Sequence, residues 1–372
     1  MNWNLKKLWS SAALSLIAGS NLLNADNGED ARMRNVESRL VALECRDSCC
    51  AMVNPPARPF AKDTWGFYVA VDPLLWQAHE NGLPIGIKTE GSQAFNNPGT
   101  NKIKNLHFDW SWGFRLTGGL NLDYDGWDTS VSWTRWNTTA TTHFSAGQKG
   151  AIYPSQVTPF NVGFLISGKA NARWRLHLNT LDWDLGREFF VSRCLTLRPF
   201  IGLRSAWISQ KFRPIYGDTI GFNAQGQVET EAGKLRCKYW GLGPLGGIDT
   251  QWGLGCGWSL FGNYSASLLY GFFKTPVKEK QTILPPPNVI NRNKDLYHVG
   301  RAITDMQIGL RYDWIACDEC YHFGVEGGWE HHMFWGQNQF VNFVDDVMAG
   351  KIVANQGDLT TQGYFVRLRF DF

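Results

Sequence analysis

Residues 106–124 read LHFDWSWGFRLTGGLNLDY, and every second position from Leu106 through Phe108, Trp110, Trp112, Phe114, Leu116, Leu120 and Leu122 to Tyr124 is apolar, Gly118 excepted. The interleaved set contains His107, Asp109, Ser111, Arg115, Thr117, Asn121 and Asp123. A two-residue period marks a strand with two unlike faces. The length of the run is decisive, because strands of soluble sandwiches average about 5–6 residues. Cys256–Phe272 repeats the pattern, with Trp258, Leu260, Tyr264, Ala266, Leu268 and Tyr270 against Ser259, Asn263, Ser265 and Ser267. In the next run Met306, Ile308, Leu310, Tyr312 and Trp314 oppose Arg301, Asp305, Gln307, Arg311 and Asp313.

Ten such segments can be placed, near 65–77, 106–124, 126–138, 171–189, 193–211, 233–252, 256–274, 298–315, 321–336 and 360–372. In the fourth, Trp174, Leu176 and Leu178 change phase to Leu181, Trp183 and Leu185, which a bulge near Asn179 would explain. The sixth is interrupted by glycines and Pro244 and is the least regular. Long connections (78–105, 139–170, 212–232, 275–297 and 337–359) alternate with short ones at Asp125, Phe190–Ser192, Gly253–Gly255 and Ala316–Cys320. An even number of long alternating strands, with long and short connections in turn, is the layout of an outer-membrane barrel whose short turns are periplasmic. The expected fold is all-β: a transmembrane antiparallel up-and-down β-barrel of about ten strands, with twelve or more as the alternative, over residues 61–372.

Composition fits this reading. The 372 residues include 18 Trp, 23 Phe and 11 Tyr, 14% of the chain, while charged residues make up 19%, below the roughly 25% usual for soluble proteins. Yet the chain is polar on average, and no run approaches the ~18 apolar residues of a membrane helix. That excludes a polytopic helical membrane protein, and a net charge of +3 is too small to point to nucleic acid.

Lys6 and Lys7 precede the apolar run Leu8–Leu23, with Asp26, Glu29 and Asp30 beyond it. This reads as a secretory signal peptide over 1–25, cut after Ala25 or, as the fallback, after Ser20. Residues 26–60 then hold a short amphipathic helix, Glu29–Glu44 with Met33, Val36, Leu40 and Leu43 at a/d spacing. Cys45, Cys49 and Cys50 and a Pro-rich linker follow. At the other end Tyr364, Val366, Leu368, Phe370 and Phe372 alternate with Arg367, Arg369 and Asp371. A last strand ending in Phe resembles the signal read by the bacterial barrel-assembly machinery, which makes Tyr364, Phe370 and Phe372 candidate assembly residues.

Several stretches resemble the major-outer-membrane-protein-like family of the chlamydial lineage and its Legionella relatives. They are Thr64–Gly82 (TWGFYVAVDPLLWQAHENG), Trp112–Trp136 with its Asp-Gly-Trp-Asp turn, Leu181–Lys211 (LDWDLGREFFVSRCLTLRPFIGLRSAWISQK), Gly327–His331 and the terminal Phe. The resemblance implies an outer-membrane β-barrel, a porin in some members, in an envelope cross-linked by disulfides.

Arg115, Arg198, Arg204, Asp249, Arg301, Asp305, Arg311, Asp313, Glu326, Arg367 and Arg369 fall on the inward phase, and so do Arg173, Arg175, Asp109, Glu330 and Asp371. They are candidate pore-lining groups, charged rings at a constriction. The competing reading is a lumen closed by paired charges, since about eight strands are just filled by side chains while sixteen or more leave a channel. Cys45, Cys49, Cys50, Cys194, Cys256, Cys317 and Cys320 gather at the short-turn end, where oxidation is favoured, and are candidate disulfide formers, between chains or to periplasmic Cys-rich partners. Cys317-x2-Cys320 lacks the second pair a zinc site needs. Gly241-x-Gly243-x-x-Gly246 continues as strand rather than helix, so no dinucleotide cofactor is expected. Glu330-His331-His332 lacks metalloprotease spacing and reads as interfacial beside Trp329 and Trp335. No nucleophile–base pair stands out, so no enzyme, cofactor or metal is expected. Two functions remain open: a porin-like channel for small hydrophilic solutes, or a non-conducting structural and surface-display barrel, adhesive through its loops and disulfide-linked below. The expected surroundings are outer-membrane lipid and the assembly machinery.

Overall fold

The computed structural model describes residues 66–90, 100–122, 126–147, 150–156, 166–220, 228–282, 288–316, 321–343, 352–354 and 357–372. The expected signal peptide, the amphipathic helix, Cys45, Cys49, Cys50, Cys317 and Cys320 lie outside them. All regular structure among the described residues is β.

Ten strands form the wall: β1 Phe67–Glu80, β2 Trp110–Asn121, β3 Trp127–Ser145, β4 Ile166–Arg187, β5 Leu195–Ile220, β6 Val228–Gly255, β7 Trp258–Thr282, β8 Asn288–Ala316, β9 Tyr321–Asn338 and β10 Gly357–Asp371. Each pairs antiparallel with its sequence neighbour, and β1 pairs with β10 from Tyr68↔Asp371 to Glu80↔Leu359, so the barrel closes without an edge. The short strands Thr100–Asn105, Pro84–Glu90 and Gly150–Pro154 pair side by side at the long-loop end and join β4 at Ile152↔Ser167. Phe189–Phe190 pairs with the start of β5, and Val341–Phe343 pairs with Ile352–Ala354.

Nine of the ten strands run further at the long-loop end than their sequence pattern suggests, while β2 is shorter than the expected 106–124 because Leu106–Asp109 leave the wall before it. Three connections, 81–109, 146–165 and 339–356, remain long, while 221–227 and 283–287 are short. The reason is an inversion of the two faces. In the half of the wall nearer the short turns, apolar side chains point outward. Trp112 (71% exposed), Ile201 (69%) and Tyr270 (67%) belong to this band, with Val69, Val131, Trp183, Leu242, Leu268, Ile308 and Val366. Lipid is the medium that suits such a surface. Trp110, Trp207, Trp240 and Tyr364 mark its upper edge, and Trp252, Trp258, Trp314 and Tyr321 its lower edge. In the upper half the same strands turn Ala170, Trp174, Leu176, Phe212, Leu235, Phe273 and Val277 inward, all buried. Arg173, Arg213, Lys238 and Lys274 face out there.

The phase change at Asn179 therefore needs no bulge. β4 pairs without a shift from Lys169↔Gly217 to Gly186↔Phe200 on one side and from Trp127↔Arg187 to Ser145↔Lys169 on the other. Trp174, Leu176 and Leu178 face in, Leu181 and Trp183 face out, and the crossover between media lies between them. β6 spans Pro244 without interruption, Pro244 lying opposite Leu203. The β6–β7 turn is Cys256-Gly257, both at positive φ (53° and 81°) between Gly255 and Trp258, a tight hairpin whose backbone matches strand twist. At Gly243 an added Cβ would run into the Leu268 carbonyl, so this glycine serves close packing of the wall.

Candidate functional site

Inward side chains of the lower half have no lipid and little water to solvate them, so each charge needs a partner. They form one unbroken chain. Arg369 bonds Asp371 at 2.7 Å, Asp371 meets His322 at 2.7 Å, and His322 reaches Asp313 at 2.8 Å. Asp313 pairs with Arg311 at 2.8 Å, and Arg311 leads to Glu326 at 3.3 Å. Arg367 joins Glu326 at 3.2 Å to Asp72 at 2.8 Å, and Arg115 joins Asp72 at 3.1 Å to Glu330 at 2.9 Å. Glu330 lies 3.5 Å from His332, which bonds Asp305 at 2.7 Å; Asp305 pairs with Arg204, and Arg204 with Asp182 at 2.7 Å. A second knot centres on Arg198, held by Asp128, by Asp184 at 2.6 Å and by Asp249 at 2.8 Å.

Neutral groups complete the network. Trp76 Nε1 donates to Glu330 Oε1 at 2.7 Å, Gln307 Nε2 donates to Glu330 Oε2 at 2.7 Å, and Arg115 Nε donates to Thr134 at 3.1 Å. Arg369 lies over the Tyr68 ring at 3.7 Å. Asp72 and Glu330 have no exposed side-chain surface. A buried carboxylate between two guanidinium groups is retained where both forks are filled.

All eleven candidate pore-lining residues face inward. Ten of them belong to these two networks, and Arg301 stands apart, its guanidinium 5.4 Å from the Phe273 ring centre. Three other expectations are corrected. Arg173 and Arg175 face outward, because they precede the crossover on β4. Asp109 lies before β2, with 70% of its side chain exposed. Glu330 and His332 are buried inside, and His331 between them points out. Asp72, Asp128, Asp182, Asp184 and His322 are network members that the sequence reading did not single out. Asp182 and Asp184 carried a legible signal, since they alternate with Leu181, Trp183 and Leu185.

A cavity of about 270 Å³ lies among these groups, and its lining includes Trp76, Leu178 and Phe334 of the apolar cluster above. That cluster fills the upper interior. Trp76 packs on Trp136 at 5.7 Å, Phe108 on Trp174 at 5.3 Å, Phe212 on Phe340 at 6.2 Å and Tyr239 on Phe273 at 4.6 Å. Connections between strands contribute: Leu106 and Phe108 dip inward before β2, Phe340 after β9, and Ile85 and Ile152 from the small sheet, all buried. Tyr216 donates to the Ile85 carbonyl at 2.7 Å, and Gln210 bonds the Glu80 carboxyl at 3.2 Å. Here, above the lipid band, burial pushes Glu80 well above the usual carboxyl range; Gln210 opposes this and Asp358 adds to it.

Of the candidate disulfide formers, Cys194 sits in the β4–β5 turn and Cys256 in the β6–β7 turn, both exposed at the short-turn end. Among the described cysteines no two are bridged; Cys237 is buried inside β6. Tyr364 and Phe372 face outward, and Phe370 stacks on Tyr321 at 5.7 Å and on Phe372 at 5.6 Å.

The family described as Legionella pneumophila major outer membrane protein precursor matches residues 58–372. No curated protein matches the chain. Among solved structures, the outer membrane protease OmpT from Escherichia coli is similar at 12% identity and a TM-score of 0.38, over 83% of this chain and 96% of that one. A FadL homologue from Pseudomonas aeruginosa gives 6% identity and a TM-score of 0.23, over 87% and 98%. The toluene transporter TodX from P. putida gives 9% and 0.22, over 86% and 92%. Likenesses of this size carry no argument about what the chain does.

Proposed function

Since the chain belongs to the Legionella major outer membrane protein family, we propose that it is a non-conducting outer-membrane barrel that serves as a structural and surface-display element. One observation carries this reading: the upper interior is filled by Trp76, Trp136, Trp174, Phe212 and Phe273, above a lower interior whose charges are paired around the cavity. Ten strands place the barrel near the size that side chains alone can fill. A porin-like channel for hydrophilic solutes would need water-lined continuity, which the apolar roof over the 270 Å³ cavity opposes.

In this proposal the short turns face the periplasm and the longer connections face outward. The leader over 1–25 directs export, and Tyr364, Phe370 and Phe372 engage the assembly machinery. Exposed Cys194 then cross-links the barrel to another chain or to periplasmic Cys-rich proteins; a band on a non-reducing gel that stays monomeric with and without reductant contradicts that part.

The test of the main reading is conductance in planar bilayers. Folded, heat-modifiable protein added to the bilayer gives no stepwise current, whereas discrete single-channel steps from the wild-type chain would restore the channel reading.

A further inference from the structure

Above the lipid band, the outer wall of β4–β8 carries bases that face one another directly across strand pairs. Arg173 is opposite Arg213, and Arg175 is opposite Lys211. Lys211 in turn is opposite Arg236, Lys238 opposite Lys274, and Lys278 opposite both Lys234 and Arg292. Like charges directly opposite on one face of a sheet destabilise it, and here the arrangement recurs over five adjacent strands. At about 4.8 Å between strands, the belt runs roughly 20 Å around the wall.

Among the described residues no carboxylate lies within ion-pair distance of these bases. Asp218, on the same stretch of wall, is taken by Lys169 at 2.9 Å, and Asp295 accepts from the Leu296 amide at 2.8 Å. Desolvation and then the neighbouring Lys234, Arg236, Arg175 and Arg213 push the Lys211 ammonium below its ordinary range; desolvation, Arg292, Lys280 and Lys234 do the same to Lys278. The charges lack an anion.

Position says which anion. The belt is continuous with the upper edge of the apolar band: one register step below Lys238 and Lys274 come Trp240, opposite Trp207 and Phe272, and then Leu242, opposite Tyr270. The bases therefore begin where acyl chains end and headgroups start. Arginine forks and lysine ammonium groups both suit phosphate.

We propose that this belt is a binding surface for phosphorylated headgroups of the surrounding leaflet, and that the lipid phosphates supply the counter-charge the sheet lacks. The inference needs only that the apolar band sits in lipid; it stands or falls independently of conduction. A soluble polyanion fits less well, because the belt lies on the side wall against the band.

The test uses the full-length protein in zwitterionic micelles, titrated with lipid A carrying both phosphates or with the same lipid after phosphatase treatment. Bound lipid is read by native mass spectrometry and stability by the heat-modifiable gel shift. Wild type retains the bisphosphorylated lipid and unfolds at a higher temperature with it. Each neutralisation in the series Lys211→Gln, Arg236→Gln, Lys238→Gln, Lys274→Gln weakens retention about fivefold. Without lipid, the combined variant unfolds at a higher temperature than wild type, because repulsion is relieved, so a folding defect is not mistaken for lost binding. Equal retention of phosphorylated and dephosphorylated lipid overturns the proposal. So does unchanged retention by the folded variant, or belt-dependent capture of a soluble sulfated polysaccharide with no preference for phosphorylated lipid.

Discussion

Strand β5 passes through two environments and reverses its faces between them. In its lower part Arg198 and Arg204 point in while Ile201, Leu203 and Trp207 point out; a few residues on, Ile208, Phe212 and Tyr216 point in while Lys211 and Arg213 point out. The backbone does not change, since pairing with β4 runs in one register through both parts. The medium outside the wall changes. Next to lipid, apolar side chains gain by facing out, and the charges left inside must satisfy one another. Above the lipid the wall behaves as in a soluble barrel, with an apolar core and a charged exterior. The lower zone draws its specificity from ion pairs and the upper zone from packing.

Each zone can be broken in its own way. The largest effect is expected at Asp72, which holds both Arg115 and Arg367. Asp72→Ala leaves two buried guanidinium groups short of a partner and should cost about 3–5 kcal/mol in a urea titration of the micellar protein. In the upper zone Leu176→Ala should cost about 3 kcal/mol through the cavity it opens, with no change in the salt dependence of unfolding. On the exterior the contrast sharpens. Ile201→Arg puts a charge in the lipid band and should cost about 2 kcal/mol, whereas Arg213→Leu, outside it, should change stability by no more than about 0.5 kcal/mol.

The smallest effect concerns pH. Folded Glu80 holds its proton to higher pH than the unfolded chain, which releases it in the ordinary Glu range. Its contribution is complete below that range and is lost as pH rises toward the raised value. Glu80→Gln should flatten this slope, stabilising the barrel at about pH 8 and changing little at about pH 4. A variant with an unaltered pH profile would show that Glu80 is ionised in the folded chain.

Strand number was legible because the alternating runs are longer than soluble strands and rich in aromatics, as in Trp110-x-Trp112-x-Phe114-x-Leu116, which suits an apolar outer face. The upper strand ends were not, because Thr139, Thr141, Lys211 and Arg213 alternate with apolar residues as in ordinary loops and soluble strands. The same inversion hid the direction of Arg173 and Arg175, whose phase is opposite to that of Arg198 and Arg204. Inward acids could be placed wherever they alternate with a clear apolar run, as Asp305 and Asp313 do. Their pairing across the barrel, Asp72 to Arg367 or Asp305 to Arg204, depends on closure and leaves no local trace. The roof was also invisible, since Phe108 and Phe340 reach it from residues outside the wall strands, and Ile85 and Ile152 from the small sheet.

The two-zone wall is tested most directly by spin labels at outward positions of β4 and β5, introduced one at a time as Trp183→Cys, Leu203→Cys, Arg173→Cys and Arg213→Cys with the eight native cysteines replaced. In vesicles, labels at 183 and 203 should be relaxed by oxygen and shielded from a water-soluble nickel chelate, and labels at 173 and 213 should show the reverse. Oxygen-dominated relaxation at all four positions would contradict a lipid band that ends at Trp207 and Trp240.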